Sequence, residues 1–412
     1  MGKWQGNFLM RCGKLPLDLW QRVRPGQNIW VHAVSVGEVK AAAVIINKLR
    51  EKYPTDQFIV STITSTGNKV AKEIITENDI LIYLPFDFSF IIRRIIARVR
   101  PKLFLVMETE LWPNLIMVLD KYKIPIVTIN GRISDKSYRR YLTVKRLLKP
   151  VLSKISLFCM RTEIDQQRIV NIGADRNKVM LTGNIKYDLP YNVTDEAIIQ
   201  KVLKIKKEMK HAGAPLLVCG STHEGEESII LRIYGQLRAE FPDLKLLIAP
   251  RHTNRIKDLK ELLNREKMHY GLISELMNKN TGIKRLFQTQ IPPDIYLLDI
   301  MGNLWLYFAL ADVVFIGGSI IPHGGHNLIE AAAWSKAIVF GRYMFNFKEM
   351  AEIFLNENAA CQATDEKMLF SQIRCLLADN KLRTEIGARA KHVAEKNRGA
   401  VEKTIVLISK FI

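Results

Sequence analysis

Three carboxylates and one glycine-rich stretch carry the residue types and spacings that could do chemistry in this 412-residue chain. Glu38 follows an apolar run, IWVHAVSV at 29–36, and opens onto a helix-forming run, VKAAAVIINKLREKY. A carboxylate is thereby expected at the C-terminal end of a strand and the mouth of a helix, where ligands bind in open α/β sheets. The plainer reading is an anion set against the positive end of a helix. Glu108 and Glu110 stand at the carboxyl end of another apolar run, KLFLVMETELWPN at 102–114, and alternate so as to share one face of an extended segment. Lys186, in VMLTGNIKYD, reads as an ordinary loop charge.

The glycine-rich stretch is VVFIGGSIIPHGGHNLIEAAAWSKAIVFG, 313–341. Val313 to Ile316 reads as a buried strand, and Ala337 to Phe340 as the next one. Between them, Gly317, Gly318, Gly324 and Gly325 make tight bends with bare backbone N–H groups, and Asn327 can cap a helix running through LIEAAAW. A glycine loop before a helix N-terminus suits a phosphate. Glu330, near the same helix end, suits a ribose diol rather than a phosphate, because a carboxylate only accepts hydrogen bonds. The alternative is a capping pair, Asn327 with Glu330, that only stabilises the helix.

The elements needed to position these groups repeat an αβ rhythm. Strand, turn and helix are expected over FIVSTITSTGNKVAKEII (58–75), with strands at ILIYLPFD (80–87) and IPIVTINGRIS (124–134). FSFIIRRIIARVR (88–100) reads as an apolar helix with four arginines, whose Ile91, Ile92, Ile95 and Ile96 could insert into a membrane beside those arginines, and KSYRRYLTVKRLLKP (136–150) reads as a basic, aromatic-rich helix. Beyond a polar stretch at 188–200 the rhythm resumes. LLVCGSTHEGEE (216–227) and LKLLIAPRHTNR (244–255) are strand then loop, and IYLLDIMGNLWLYFALAD (295–312) is strand, loop and helix. Ser221 and Thr222 can donate to phosphate, and Arg251 can make a forked contact with phosphate or a base carbonyl. The length suggests two domains: an arm at 1–27, a domain at 28–190 and another at 191–412.

Net charge is +20, with 31 basic and 16 acidic side chains in 1–190 against 30 and 25 in 191–412. A basic first half implies an anionic partner. Nucleic acid and membrane phosphate are the two candidates, and no nucleic-acid-binding motif is present. The arm mixes Trp4, Phe8, Leu17 and Trp20 with Lys3, Arg11 and Arg22, a composition suited to a membrane interface or to a docking arm. No run is long and apolar enough to span a bilayer, and no secretory signal is visible. Five widely spaced cysteines without a CxxC are read as free thiols. The eight histidines lack HExxH or HxH spacing, and no DxD, P-loop or GxSxG motif occurs; neither a metal nor a cofactor is expected.

HAVSVGE at 32–38, METELWPN at 107–114, TGNIKYD at 182–188, STHEGEE at 221–227, APRH at 249–252, HGGHNLIEAAAWSKAIVFG at 323–341 and FNFKEM at 345–350 stand in this order along the chain. Together they resemble the 3-deoxy-D-manno-octulosonic acid (Kdo) transferases of lipid A and lipopolysaccharide assembly. The resemblance runs from about residue 28 to the C-terminus. It implies an α/β chain of two facing Rossmann-like domains, the GT-B arrangement, with an interdomain cleft and a C-terminal helix crossing back onto the first domain. It implies inverting, metal-independent transfer of Kdo from CMP-Kdo to a lipid A precursor at the cytoplasmic face of the inner membrane. Attachment there would be peripheral, or through a segment outside this chain. In that family's terms Glu38 is the general base, and Glu108 and Lys186 stabilise the transition state. Pro250, Arg251, Met301, Gly302, Asn303, Asn327, Leu328, Ile329 and Glu330 hold CMP. Asn303 departs from the acidic residue usual there. A UDP-sugar epimerase or N-acetylglucosaminyl transferase would share the fold but not SVGE with METELWPN. A non-catalytic nucleotide-binding protein would lack the carboxylates.

Overall fold

The computed structural model describes residues 8–188, 191–209, 213–277 and 292–412. Residues 1–7, which include Trp4 and Lys3 of the arm, and 189–190, at the expected boundary, lie outside them. The chain forms two units, Met1–Leu189 with Asn397–Ile412, and Pro190–Lys396. The C-terminal segment therefore belongs with the N-terminal unit.

The first unit carries strands β1 (Asn28–His32), β2 (Gln57–Thr62), β3 (Ile80–Tyr83), β4 (Leu103–Met107), β5 (Ile126–Gly131), β6 (Leu157–Met160) and β7 (Val179–Leu181), in the sheet order β3-β2-β1-β4-β5-β6-β7. All neighbours are parallel. Both faces are covered, which is why β1 and β4 are apolar or buried at every position rather than alternating. Ile29, Val31, Leu103 and Leu105 enter one core, and Trp30, Phe104 and Val106 the opposite one. The strand order reverses between β1 and β4, so the crevice beyond their carboxyl ends is the expected ligand position.

The second unit repeats the plan with β8 (Leu216–Thr222), β9 (Lys245–Pro250), β10 (Tyr270–Leu272), β11 (Ile295–Leu297), β12 (Val313–Ile316), β13 (Ala337–Gly341) and β14 (Cys361–Ala363). Their order is β10-β11-β9-β8-β12-β13-β14, again all parallel, with the reversal between β8 and β12. Two doubly wound α/β units in one chain is the fold class expected from the sequence.

Local readings need three corrections. The first strand stops at His32 rather than at residue 36, because Ser35 adopts an extended conformation and caps the helix Val36–Lys52. The basic stretch 136–150 is two helices, Asp135–Thr143 and Lys145–Leu152, broken at Val144. In the helix Ser89–Val99, Ile91, Ile92, Ile95 and Ile96 are buried in the sheet core, while Arg93, Arg94 and Arg98 are exposed.

The helix Ala400–Ile408 supplies Ala400, Val401, Ile405 and Ile408 to the same core as Val39, Ala42, Ile45 and Ile46 of Val36–Lys52. Its N-terminus has no capping side chain of its own at Gly399. Asp188 takes that role from across the unit, accepting from the N–H groups of Gly399 and Val401 at 2.6 Å each. Replacing Asp188 with Ala leaves both donors without a carboxylate and is expected to weaken the docking of this helix by about 1–2 kcal/mol. Amide hydrogen exchange over 400–408 is the readout, and it should accelerate while β1 and β4 keep their protection.

Candidate functional site

Glu38 sits in the first turn of the helix Val36–Lys52, immediately beyond β1. Its carboxylate accepts from the Val34 N–H at 2.9 Å and from the Ser35 hydroxyl at 2.8 Å. The Ser35 side chain in turn accepts from the Glu38 N–H at 3.4 Å. This is a reciprocal capping arrangement, so the structural role read for Glu38 is real. It does not exhaust the residue. Burial pushes the Glu38 carboxyl up to about 7, with Glu108 and Glu110 adding to the rise and the Val34 and Ser35 hydrogen bonds opposing it. A carboxyl held near neutrality can both lose and accept a proton at physiological pH.

Glu108 follows β4 across the strand-order reversal. Its backbone is left-handed, φ 56°, and is fixed by its N–H donating to Ile129 O at 2.9 Å. A non-glycine residue at that φ is uncommon and marks a position worth examining. Glu110 is raised as well, by burial first and Glu108 second. The structure therefore gathers all three carboxylates that the sequence offered.

Lys186 rides on the short turn Ile185–Asp188 beyond β7. Asn130, itself left-handed at φ 55°, accepts from the Ile185 N–H at 3.1 Å, and Asn184 accepts from the Lys186 N–H at 3.1 Å. Ile185 packs in the core that contains Val39 and Ala42, so this turn lies on the face covered by the helix Val36–Lys52, which carries Glu38 in its first turn.

In the second unit the glycine loop is not the bare anion cradle that the sequence suggested. Gly317 N–H donates to Gly220 O at 2.8 Å, and Gly325 N–H to Gly318 O at 2.7 Å. The N–H groups of Gly318, Ser319 and Ile320 all donate to the carboxylate of Glu226, at 2.6, 3.0 and 3.2 Å, and His223 N–H donates to it as well, at 3.0 Å. A fully buried side-chain anion fills the place expected for a ligand phosphate. Gly317 is required there because a Cβ would lie 2.5 Å from Ser221 O.

Asn327 precedes the helix Ile329–Ala333 by two residues and does not occupy the cap itself; its side-chain oxygen accepts from the Ile329 N–H at 3.1 Å. Glu330 accepts from the Tyr191 hydroxyl at 2.8 Å. Tyr191 meets Trp305 at a tilt, with ring centroids 5.4 Å apart, and Trp305 stacks on Trp334 at 5.9 Å. Trp305 belongs to the helix Leu304–Phe308, directly after Met301, Gly302 and Asn303. An aromatic chain thus links that exposed loop to Glu330. Leu328 and Ile329 are buried, so only their backbones could meet a ligand, while Arg251 is exposed at the end of β9 and Pro250 is buried there. Tyr191 and Glu226 escaped the sequence reading; Tyr191 lies in a polar connector, and Glu226 looks like one more acidic residue at a helix start. Among the described residues, no group of three or more His, Cys, Asp or Glu is placed to hold a metal ion.

Residues 8–189 match the family described as 3-deoxy-D-manno-octulosonic-acid transferase (kdotransferase). Over 391 residues the chain is 35% identical to the 3-deoxy-D-manno-octulosonic acid transferase of Haemophilus influenzae, covering 94% of this chain and 88% of that one. Among solved structures, a glycosyltransferase from Rickettsia africae is similar with a TM-score of 0.61 at 15% identity, over 94% of this chain and 99% of that chain. The UDP-GlcNAc 2-epimerase of Neisseria meningitidis also scores 0.61, at 13% identity, over 92% and 99%. Likeness at that level shows a fold that hosts both a transferase and an epimerase, and it does not choose between them.

Glu38 has a consequence for stability that can be checked without substrate. Its folded-state pKa of about 7 exceeds the ordinary 4.5. The stabilisation from its protonated form is complete below 4.5 and is lost as pH rises through 7. Glu38→Gln has no proton to lose. Its thermal midpoint should gain on that of the wild type as pH is raised across this window, and parallel melting curves from pH 4 to pH 8 would refute the assignment.

Proposed function

The chain belongs to the 3-deoxy-D-manno-octulosonic acid (Kdo) transferase family, and from that premise we propose that it transfers Kdo from CMP-Kdo to a lipid A precursor, lipid IVA, with inversion. The observation that carries this reading is the carboxylate group at the strand-order reversal of the first sheet. There Glu38 is held at about 7 beside Glu108 and Glu110. A base needs a pKa near the working pH and must not be consumed by an ion pair; Glu38 accepts from the Val34 N–H and the Ser35 hydroxyl.

In this scheme the acceptor hydroxyl attacks the anomeric carbon of Kdo as Glu38 takes its proton. The bond from that carbon to the phosphate oxygen breaks, and CMP leaves with the electron pair. A single displacement inverts the centre without a covalent intermediate. Glu108 favours positive character at the anomeric carbon, which an oxocarbenium-like transition state develops. Lys186 and Arg251 offset the charge appearing on the departing phosphate. Because CMP carries one phosphate, no metal is needed to neutralise it. Glu330 and Asn327 hold the ribose, with Tyr191 as the group that Glu330 exchanges for a ribose hydroxyl. The loop Met301, Gly302 and Asn303 holds the base through its backbone.

The acceptor's phosphates and the anionic leaflet call for a basic surface, on the cytoplasmic side of the inner membrane. Arg93, Arg94, Arg98 and Arg100 of one helix and Arg139, Arg140, Lys145 and Arg146 of the next basic pair are all exposed. The apolar groups beside them are Phe88 and Phe90, whose rings stack 6.0 Å apart, and Leu142, Val144 and Leu147. They replace the four isoleucines of 91–96, which lie in the core. No helix among the described residues is long and apolar enough to cross a membrane.

Two measurements test these assignments. Purified protein incubated with CMP-Kdo and a tetra-acylated lipid A precursor should yield a product heavier by one or more Kdo residues. Glu38→Gln should lower turnover by roughly 10²–10⁴ while still binding CMP. Wild-type kcat/KM should fall as pH drops through about 7, the value to which Glu38 is raised, because the base is then protonated. Near-normal turnover of Glu38→Gln would return the residue to its capping role.

For the membrane, the protein should co-sediment with anionic vesicles and release progressively as salt rises, since each basic side chain near the surface contributes about 1 kcal/mol and salt screens it. Binding indifferent to lipid charge and salt would rule out the electrostatic contact.

A further inference from the structure

Four histidines from three separate segments meet at the carboxyl edge of the second sheet. His223 follows β8, His252 follows β9, and His323 and His326 lie in the loop after β12. The reversal between β8 and β12 is therefore lined by imidazoles. His223 Nε2 and His326 Nε2 are 2.9 Å apart, a hydrogen bond in which one ring donates and the other accepts, and the rings are parallel within 6°. His323 stacks on His223 with centroids 4.3 Å apart, and His252 meets it edge-on at 6.3 Å. Gly318 makes room for the pair: at φ 67° a Cβ there would lie 3.2 Å from His223 and 3.3 Å from His326. This glycine serves the imidazoles, and its N–H serves Glu226.

The charged groups around the pair are nearly all bases. Arg251 and Arg255 approach from the β9 side, and His252 and His323 complete the ring. Glu224, next to His223, is exposed, and Glu226 and Glu227 are engaged elsewhere. Glu226 receives backbone N–H groups, and Glu227 pairs with Arg255 at 2.7 Å and Thr222 at 3.0 Å. Burial, reinforced by these cations, pushes His223 down to about 4 and His326 to about 3. Both rings are neutral near pH 7 until an anion arrives.

Resting on the donor reading above, we propose that the His223–His326 pair is a receptor for an oxyanion of the donor at its anomeric centre. A CMP-linked 2-ulosonate carries two such groups on one carbon, the phosphate and the sugar carboxylate. An anion seated against the pair accepts from an imidazole N–H and relieves the crowding of bases, so it recruits a proton to the cluster. A sugar donor without a carboxylate would have only its phosphate to offer.

Calorimetric titration of the full chain at pH 6, in two buffers with different ionisation heats, reports affinity and proton uptake together, with CMP and CMP-Kdo as separate ligands. With at least one ligand, the wild type should take up more protons than His223→Asn/His326→Asn, and the double variant should bind that ligand about tenfold more weakly, or worse. Excess uptake already seen with CMP assigns the phosphate to the pair; excess confined to CMP-Kdo assigns the carboxylate. Equal affinity and equal uptake with both ligands overturn the inference. Lost affinity with unchanged uptake overturns it too, because a merely structural pair would behave so. If the double variant does not fold, the ring-proton NMR shift of His326 in the wild type decides: it must move toward the protonated value on adding ligand, and a stationary signal refutes the proposal. A wild type that binds neither CMP nor CMP-Kdo would instead sink the donor reading itself.

Discussion

One buried carboxylate organises the ligand edge of the second unit. Glu226 accepts four backbone N–H groups, one from the loop after β8 and three from the loop after β12. It thereby ties together the two strands between which the sheet reverses direction. Burial still raises its pKa, with the four hydrogen bonds acting against the rise. Without that anion the glycine loop would carry unsatisfied donors in a buried place, at a cost of about 1–3 kcal/mol for each. With it, the loop closes over Ser319 and turns His323 and His326 toward His223. The N–H groups of Gly317, Gly318 and Gly325, which a glycine-rich sequence advertises as free donors, are consumed inside the protein.

The first unit solves a similar problem in another way. Glu38 also accepts from backbone and hydroxyl donors of its own loop, but only two of them, and with Glu108 and Glu110 close by. Burial first, then its like-charged neighbours, against fewer opposing donors, hold it at about 7. The same residue type beyond the first strand of each sheet thus serves as a loop-closing acceptor in one unit and as one of three gathered carboxylates in the other.

Much of this was legible in the chain. Parallel strands buried on both faces read as unbroken apolar runs, so β1, β4, β8 and β12 stand out directly, and Glu38, Glu108, Glu226 and Glu330 each follow one of them. The spacing of Ile91, Ile92, Ile95 and Ile96 also describes a single helix face; the interleaved arginines drew attention to a membrane when the apolar face was simply turned to the core. What sequence alone could not supply were groupings made by topology. His223, His252 and His326 are 29 and 74 residues apart in succession, and no local pattern joins them. Tyr191 meets Glu330 across 139 residues. A hydrogen bond of that separation exists only once the sheet order is known.

The helix that Asp188 caps carries a consequence for biosynthesis. The ribosome delivers β1 to β7 early, yet Ile29, Val31, Leu103 and Leu105 share their core with Ala400, Val401, Ile405 and Ile408. The unit begun first is therefore finished last. Throughout translation of the whole second unit, one apolar face of the nascent first sheet waits without part of its cover, and only when residue 408 leaves the exit tunnel can the N-terminal half lock into its final form.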